Sequence, residues 1–389
     1  MEGEATAQLA AVAALRGCVQ AAGMPDLHPG RGFPIGAVVA TRGIVYPHLV
    51  GSDAGCGARM VATAIDRASP DKLERRIRNI WSEPFLDDAN ASALFENAWS
   101  YGPRGLAGVD GLPASLRAMA ALEPDHDGLP PSGDPAPFRA GFERVLGTIG
   151  GGNHFAEVSS VSQVVDDERA QSLGVRKNSL VVLVHSGSRG LGAALSTRWG
   201  LRPLLDGDID SYLGELSGAC RFARTNRFLL AYRLLSALGA LRMSVVRGAF
   251  DVTHNDVRSE IVAGVSSWIH RKGAAPAHEG ECTLVLGSRG AASWIMRGRG
   301  NESALQSVAH GAGRRMGRSE AREKIRARYR RTELSRSSTG GRVICDDRDL
   351  LSEEHPDAYK AIAPIIASLE AHGMASRVAA LTPIVTVKL

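Results

Sequence analysis

LVVLVHSGSRG, residues 180–190, opens with five aliphatic residues, reaches a histidine and breaks into a glycine loop. An uninterrupted apolar run bounded by glycine reads as a strand covered on both faces. TLVLGSRG at 283–290 has the same form, and the shared GSRG raises a distant internal duplication. Around these two runs the chain alternates strands, glycine loops and helical stretches. Helices are expected over 5–22, over 69–100 with a connecting loop, and over 221–243, 314–331 and 357–372. A loop dense in glycine and proline leads into a short apolar run at 35–40, and PIVTVKL at the C-terminus reads as a strand. EPDHDGLPPSGDPAP, 123–137, reads as a surface loop rather than a domain boundary.

Composition narrows the class. The chain has 389 residues, 44% hydrophobic and 22% charged, which excludes collagen-like, disordered and disulfide-scaffold proteins. No apolar stretch reaches membrane-spanning length. The net charge is +5, and forty of the forty-six basic residues are arginine, a side chain suited to bidentate phosphate contact. Residues 314–331 hold nine basic and two acidic residues, so the basicity is local and resembles a phosphate-binding footprint. Five scattered cysteines form no CxxC pair, and the N-terminus starts acidic, so a reduced, cytoplasmic protein is expected.

Familiar nucleotide signatures are missing: there is no GxxxxGK[ST] and no KxDG. Chemistry-bearing residues sit instead in glycine loops. Asp53 and Cys56 lie three apart in GSDAGCGAR (51–59). His154 follows three glycines in GTIGGGNHF (147–155), His185 ends the apolar run, and His254 lies in THND. Thiolate and imidazole together favour a transition metal over magnesium or calcium. Taken singly, each is more often structural; spacing alone does not bring them together. His310 lies in SVAHGAGRRMGRS (307–319), where a glycine loop precedes a basic helix. Such a position suits anion contact, and a neutral imidazole there could attack phosphorus.

Together these segments resemble the RtcB-type RNA ligase family. The matching stretches are MPDLHPGRGFPIG, GSDAGCG, GTIGGGNHFAEV, VHSGSRGLG, THN, HRKGA, LGSRGAASW, SVAHGAGRRMGRS, PDAYK and VKL, in the family's order from residue 24 to the end. The resemblance implies a single α+β domain over 1–389, with mixed sheets and helices around a deep metal-binding cleft. It implies that Asp53, Cys56, His154, His185 and His254 hold two Mn²⁺ ions, with the Cys56 thiolate bridging. It implies that His310 attacks GTP and carries GMP. Asn153 is then a contact to nucleotide or RNA phosphate, and Arg189 a second RNA contact. Glu157, Ser288, Ser293, Tyr359 and Lys388, with Gly311, Ala312, Gly313 and Arg314 of the loop after the nucleophile, would bind the nucleotide. The implied reaction joins RNA 3′-phosphate or 2′,3′-cyclic phosphate ends to 5′-hydroxyl ends, in RNA repair or tRNA splicing.

The chain also departs from the family's pattern. Ala54 and Ala58 replace bulkier residues, Arg289 stands where methionine is common, and Gly317 stands where serine commonly follows the histidine loop. These departures point to a divergent branch, the one associated with release factor H, and to an activating or release-factor-H-like partner. Two other readings stay open on the residues: a metal-dependent cyclic phosphodiesterase without ligation, and a non-catalytic RNA-binding paralogue.

Overall fold

The structure is a computed structural model and describes residues 2–82, 86–124 and 128–388. Its centre is a sheet whose strands run in the order Cys282–Val285, Ser293–Gly298, Ala375–Val387, Phe155–Val164, Leu180–Ser186, Gly57–Thr63 and Val246–Thr253. Neighbours along this path are antiparallel, and Arg342–Ile344 adds a parallel strand beside Ala375–Val387. A second sheet orders Cys18–His28, Ile35–Thr41, Val265–Lys272 and Asn255–Val262. Helices cover the sheets, which gives the expected α+β architecture.

The apolar run 180–184 is buried on both faces, as its composition requires. Leu180, Val182 and Val184 join the core beneath the helix Gly207–Leu238, with Leu216, Phe222 and Leu229. Val181 and Leu183 point the other way, into a cluster with Met60, Leu284, Ile295 and Leu381 of the same sheet. Burying each such side chain stabilises the fold by about 1.5–3 kcal/mol.

Several expectations need correction. The first helix ends at Ala13, and Cys18–His28 is a strand, so residues 18–22 are extended. Gly17, at φ 75°, turns the chain between them. The central helix starts at Gly207, not 221, and ends at Leu238. Its glycines obscure it in the sequence, yet Gly218 is a packing contact: a Cβ there would lie 2.1 Å from Trp99 Cε2. The two GSRG loops are not structural copies. The first opens the helix Gly190–Trp199; the second joins two hairpin strands. The basic stretch divides into the helices Arg318–Arg328 and Arg331–Leu334. The expected 357–372 helix is a short turn, Pro356–Ala358, followed by Ile362–Ala371. In the 123–137 segment, residues 125–127 lie outside the described residues, and a helix, Ala136–Phe142, takes its last two. No helix among the described residues is long and apolar enough to cross a membrane.

Arg227, on the long helix, is fully buried. It donates to both Asp251 carboxylate oxygens (2.8 and 2.6 Å) and to the carbonyls of Gly55 (2.7 Å) and Ser186 (2.8 Å). Arg227→Met leaves the buried Asp251 carboxylate with only the longer 3.7 Å contact to Arg224. Chemical denaturation is expected to show a loss of about 3–5 kcal/mol; a loss under about 1 kcal/mol would contradict this role.

Candidate active site

Four adjacent strands of the central sheet bring the candidate ligands to one edge. Because neighbours are antiparallel, the start of one strand lies beside the end of the next. His154 precedes Phe155–Val164 and His185 lies near the end of Leu180–Ser186. Cys56 precedes Gly57–Thr63, and His254 follows Val246–Thr253. Cross-strand register pairs Gly57 with both Ser186 and Thr253, and pairs Phe155 with His185. Glycine is needed at this edge: a Cβ on Gly57 would lie 2.3 Å from Val252 O, and one on Gly187 2.1 Å from Asp53 Oδ1.

Cys56 Sγ lies 3.3 Å from His154 Nε2 and 3.4 Å from His185 Nε2. His185 Nε2 lies 3.3 Å from His254 Nε2, and His154 Nε2 lies 2.8 Å from Asp53 Oδ2. The ligand atoms form two triads sharing the Cys56 sulfur, Asp53–Cys56–His154 and Cys56–His185–His254, each with its atoms within 4.8 Å of one another. His185 Nδ1 donates to the Asn153 carbonyl at 3.2 Å, which leaves Nε2 with its lone pair toward the sulfur. Asn255 Nδ2 donates to Asp53 O, and Asn255 Oδ1 accepts from Gly273 N, so the residue after His254 ties the loops together.

Burial drives the titration of this cluster. It pushes the His185 and His254 imidazoles well below their ordinary range, and neighbouring histidine charges add to the effect. Burial and the Asp53 carboxylate push the Cys56 thiol well above its ordinary value. Burial would also raise Asp53, but the His154 contact outweighs it and holds the carboxyl low. Imidazoles, a carboxylate and a buried thiol form a donor set that fits a divalent transition metal.

His310 follows the short strand Ser307–Ala309, and its ring centroid is 4.9 Å from that of His254. Its Nδ1 lies 2.7 Å from Asp26 Oδ2, a carboxylate with no solvent exposure. The approach is close but not aligned as a hydrogen bond. Asp26 escaped the sequence reading, although its position in MPDLHPG was the available signal.

From His310 a cleft runs past His28, Asn153 and Ser288 to Arg289, Glu354, Tyr359 and Lys388. Gly311, Ala312, Gly313 and Arg314 form part of its wall, and Arg318 at the start of its helix faces it. Gly313 has φ 67°, and a Cβ there would meet Asp26 O at 2.3 Å. Glu354 is the one acidic side chain of the lining and was not foreseen. It accepts from Arg314 Nη1 (3.0 Å) and from the Tyr359 hydroxyl, and lies 3.8 Å from Lys388 Nζ. Burial alone would raise its pKa, but Lys388 and Arg314 hold it low. Lys388 donates to the carbonyls of Gly152 (3.0 Å) and His154 (2.9 Å), and burial lowers its pKa to about 8.

Three expected contact residues stand off the cleft wall. Ser293 accepts from Gly287 N at 3.0 Å and shapes the loop that carries Ser288. Glu157 is buried behind Thr386, accepting from its hydroxyl (2.5 Å) and from Ser159 (2.7 Å), and burial raises its pKa to about 7. Arg189 turns back to the cluster, with Nη1 3.3 Å from His154 Nδ1. The basic run is also less bare than its sequence implies. Arg322 pairs with Asp349 and Glu353, Arg326 with Asp349, and Arg328 with Asp357. Gly317 caps its helix without a side-chain hydrogen bond. A wider groove lined by Arg59, Tyr101, Phe228 and Asp251 holds none of the clustered ligands.

The family profile described as tRNA-splicing ligase RtcB matches residues 8–202 and 201–389. The RNA-splicing ligase RtcB2 of Escherichia coli is 37% identical over 396 residues, covering 100% of this chain and 93% of that protein. The RNA-splicing ligase RtcB of Mycobacterium bovis is 32% identical over 447 residues, covering 98% and 100%. The tRNA-splicing ligase RtcB of Pyrobaculum aerophilum is 28% identical over 426 residues, covering 94% and 87%. On two family matches that together span nearly the whole chain, and on relatives aligned along their length, the chain belongs to the RtcB family.

Proposed function

We propose that this chain is a GTP- and Mn²⁺-dependent RNA ligase that joins a 3′-phosphate or 2′,3′-cyclic phosphate end to a 5′-hydroxyl end through a histidine–GMP intermediate. The observation that carries the reading is His310, set between the ligand cluster and a cationic cleft with a buried carboxylate 2.7 Å from its Nδ1. A hydrolase of cyclic phosphates has no need of such a nucleophile.

In this reading Asp53, Cys56 and His154 would hold one Mn²⁺, and Cys56, His185 and His254 the other. The ions supply charge neutralisation for phosphate oxygens. The chain supplies the rest. The Asp26 carboxylate faces Nδ1 of His310 at 2.7 Å, so Nε2 would be the nitrogen that attacks the α-phosphorus of GTP. An N–P bond forms and the bond to pyrophosphate breaks. A cyclic phosphate end is first opened by water to a 3′-phosphate and a 2′-hydroxyl; an oxygen of the RNA 3′-phosphate then attacks the same phosphorus, taking GMP and restoring the imidazole. Finally the 5′-hydroxyl attacks the activated 3′-phosphorus, and GMP leaves. Arg314, Arg318 and Lys388 place positive charge along the cleft that would receive these phosphates, and Asn153 stands in its wall.

Covalent labelling tests the nucleophile. With α-labelled GTP and Mn²⁺ the chain is expected to take up acid-labile label. His310→Ala should cut labelling by roughly a thousandfold or more while metal content stays unchanged. Label on the variant, or none on the parent, contradicts the reading. A second expectation concerns pH. Lys388 carries its charge at pH 7 and loses it as pH rises through about 8. GTP half-saturation should therefore rise up to about tenfold per pH unit above that point. Lys388→Met should bind weakly at pH 7 and lack this dependence; an unchanged profile would remove Lys388 from nucleotide binding.

A further inference from the structure

Asn255 stands where the chain crosses from one sheet to the other. Val246–Thr253 ends the central sheet, His254 follows, and Asn255–Val262 belongs to the second sheet. The ligand cluster gathers on the edge of the central sheet. His310 instead extends a separate pair of short strands, Ser307–Ala309 against Ala274–Pro276. Neither sheet alone sets the distance between ligands and nucleophile, so bonds that cross between these elements must set it.

The Asn255 side chain makes two such bonds. Its Nδ2 donates to the Asp53 carbonyl at 3.0 Å, and its Oδ1 accepts from Gly273 N at 2.7 Å. Its own carbonyl accepts from Gly55 N at 2.8 Å. Asp53 and Gly55 belong to the loop that carries Cys56. Gly273 leads into Ala274–Pro276, where Ala274 pairs with Ala309. It also backs the nucleophile: a Cβ on Gly273 would lie 3.0 Å from His310 Cε1. One amide therefore links the ligand loop to the residue against the His310 ring. The link needs a donor on one side and an acceptor on the other. An aspartate of the same shape would turn an acceptor toward the Asp53 carbonyl.

We propose that Asn255 is a positioning residue that sets the separation between the ligand loop and His310, acting through Asp53 and Gly273. The inference rests on the ligase reading of this site and deepens it. A phosphorus held by ions at the ligand loop must come within reach of the imidazole, and a misplacement of about 1 Å costs roughly a hundredfold in rate.

Time courses of labelling with α-labelled GTP, beside equilibrium Mn²⁺ binding, test it on the full chain, Asn255→Leu and Asn255→Asp. Leucine keeps the volume and loses both bonds. Aspartate keeps the acceptor for Gly273 N and loses the donor to Asp53 O. Asn255→Leu is expected to lower the labelling rate constant at saturating Mn²⁺ and GTP by about tenfold or more, and to weaken Mn²⁺ binding by a similar factor. The final extent of labelling and the GTP half-saturation should stay at the parent's values, because the folded fraction and the nucleotide cleft are intact. Asn255→Asp should lie between the parent and Asn255→Leu in rate constant. A lower extent of labelling with an unchanged rate constant, matched by a lower unfolding temperature of the metal-free chain, would make Asn255 a folding residue and overturn the proposal. Weaker Mn²⁺ binding with an unchanged rate constant would confine its role to the ligand loop and overturn it as well. A parent chain that binds Mn²⁺ but takes no label defeats the ligase reading and this inference with it.

Discussion

One buried guanidinium organises the edge on which the candidate site is built. Arg227 neutralises Asp251 on one strand while bonding carbonyls next to Cys56 and His185 on two others. Asp251 lies three residues before His254, so the same group braces the approaches to three ligands. Burying a charge costs several kcal/mol unless it is fully paired and bonded. Here the carboxylate and the two carbonyls meet that requirement. One carbonyl, Ser186, ends its strand and the other, Gly55, lies in the loop just before Gly57–Thr63, where ladder partners run out. Fold stability and site geometry therefore rest on the same bonds.

The antiparallel register makes this economical. Starts and ends of neighbouring strands alternate along one edge, so residues 56, 154, 185 and 254, distant in sequence, become adjacent without any long loop. Rigid strands then set the spacing of the donor atoms. The cleft is built differently, from the loops 286–293 and 310–314 and the segment around Glu354. Two of its positive charges, Arg314 and Lys388, converge on that buried carboxylate. A polyanion entering it would meet Arg289, Arg314, Arg318 and Lys388 already oriented by protein partners or burial.

The sequence was most legible where one local rule decided the structure. The run 180–184 had to be a doubly covered strand, because nothing in it tolerates water. It was least legible where a tertiary contact overrode the local pattern. Glycines 214 and 218 hid the first half of the long helix because they serve close packing against Gly133 and Trp99. The alanines at 21 and 22 looked helical but pair with Val39 and Val38 across a sheet. The run 314–331 looked like bare positive charge because Asp349, Glu353 and Asp357, which neutralise part of it, lie far along the chain. For the site, each ligand was visible in a short loop or at the end of an apolar run, but convergence is a property of register and not of composition. Asp26 and Glu354 stayed hidden for the same reason: their roles exist only through partners hundreds or tens of residues away.

The central claim is that one thiolate joins two sets of ligands into a single metal centre. Anomalous scattering from crystals grown with Mn²⁺, recorded on both sides of the metal absorption edge, tests it most directly. The account predicts two peaks flanking Cys56 Sγ, about 3.5–4 Å apart, one beside Asp53 and His154 and the other beside His185 and His254. A single peak away from the sulfur, or none on these residues at saturating metal, would contradict it.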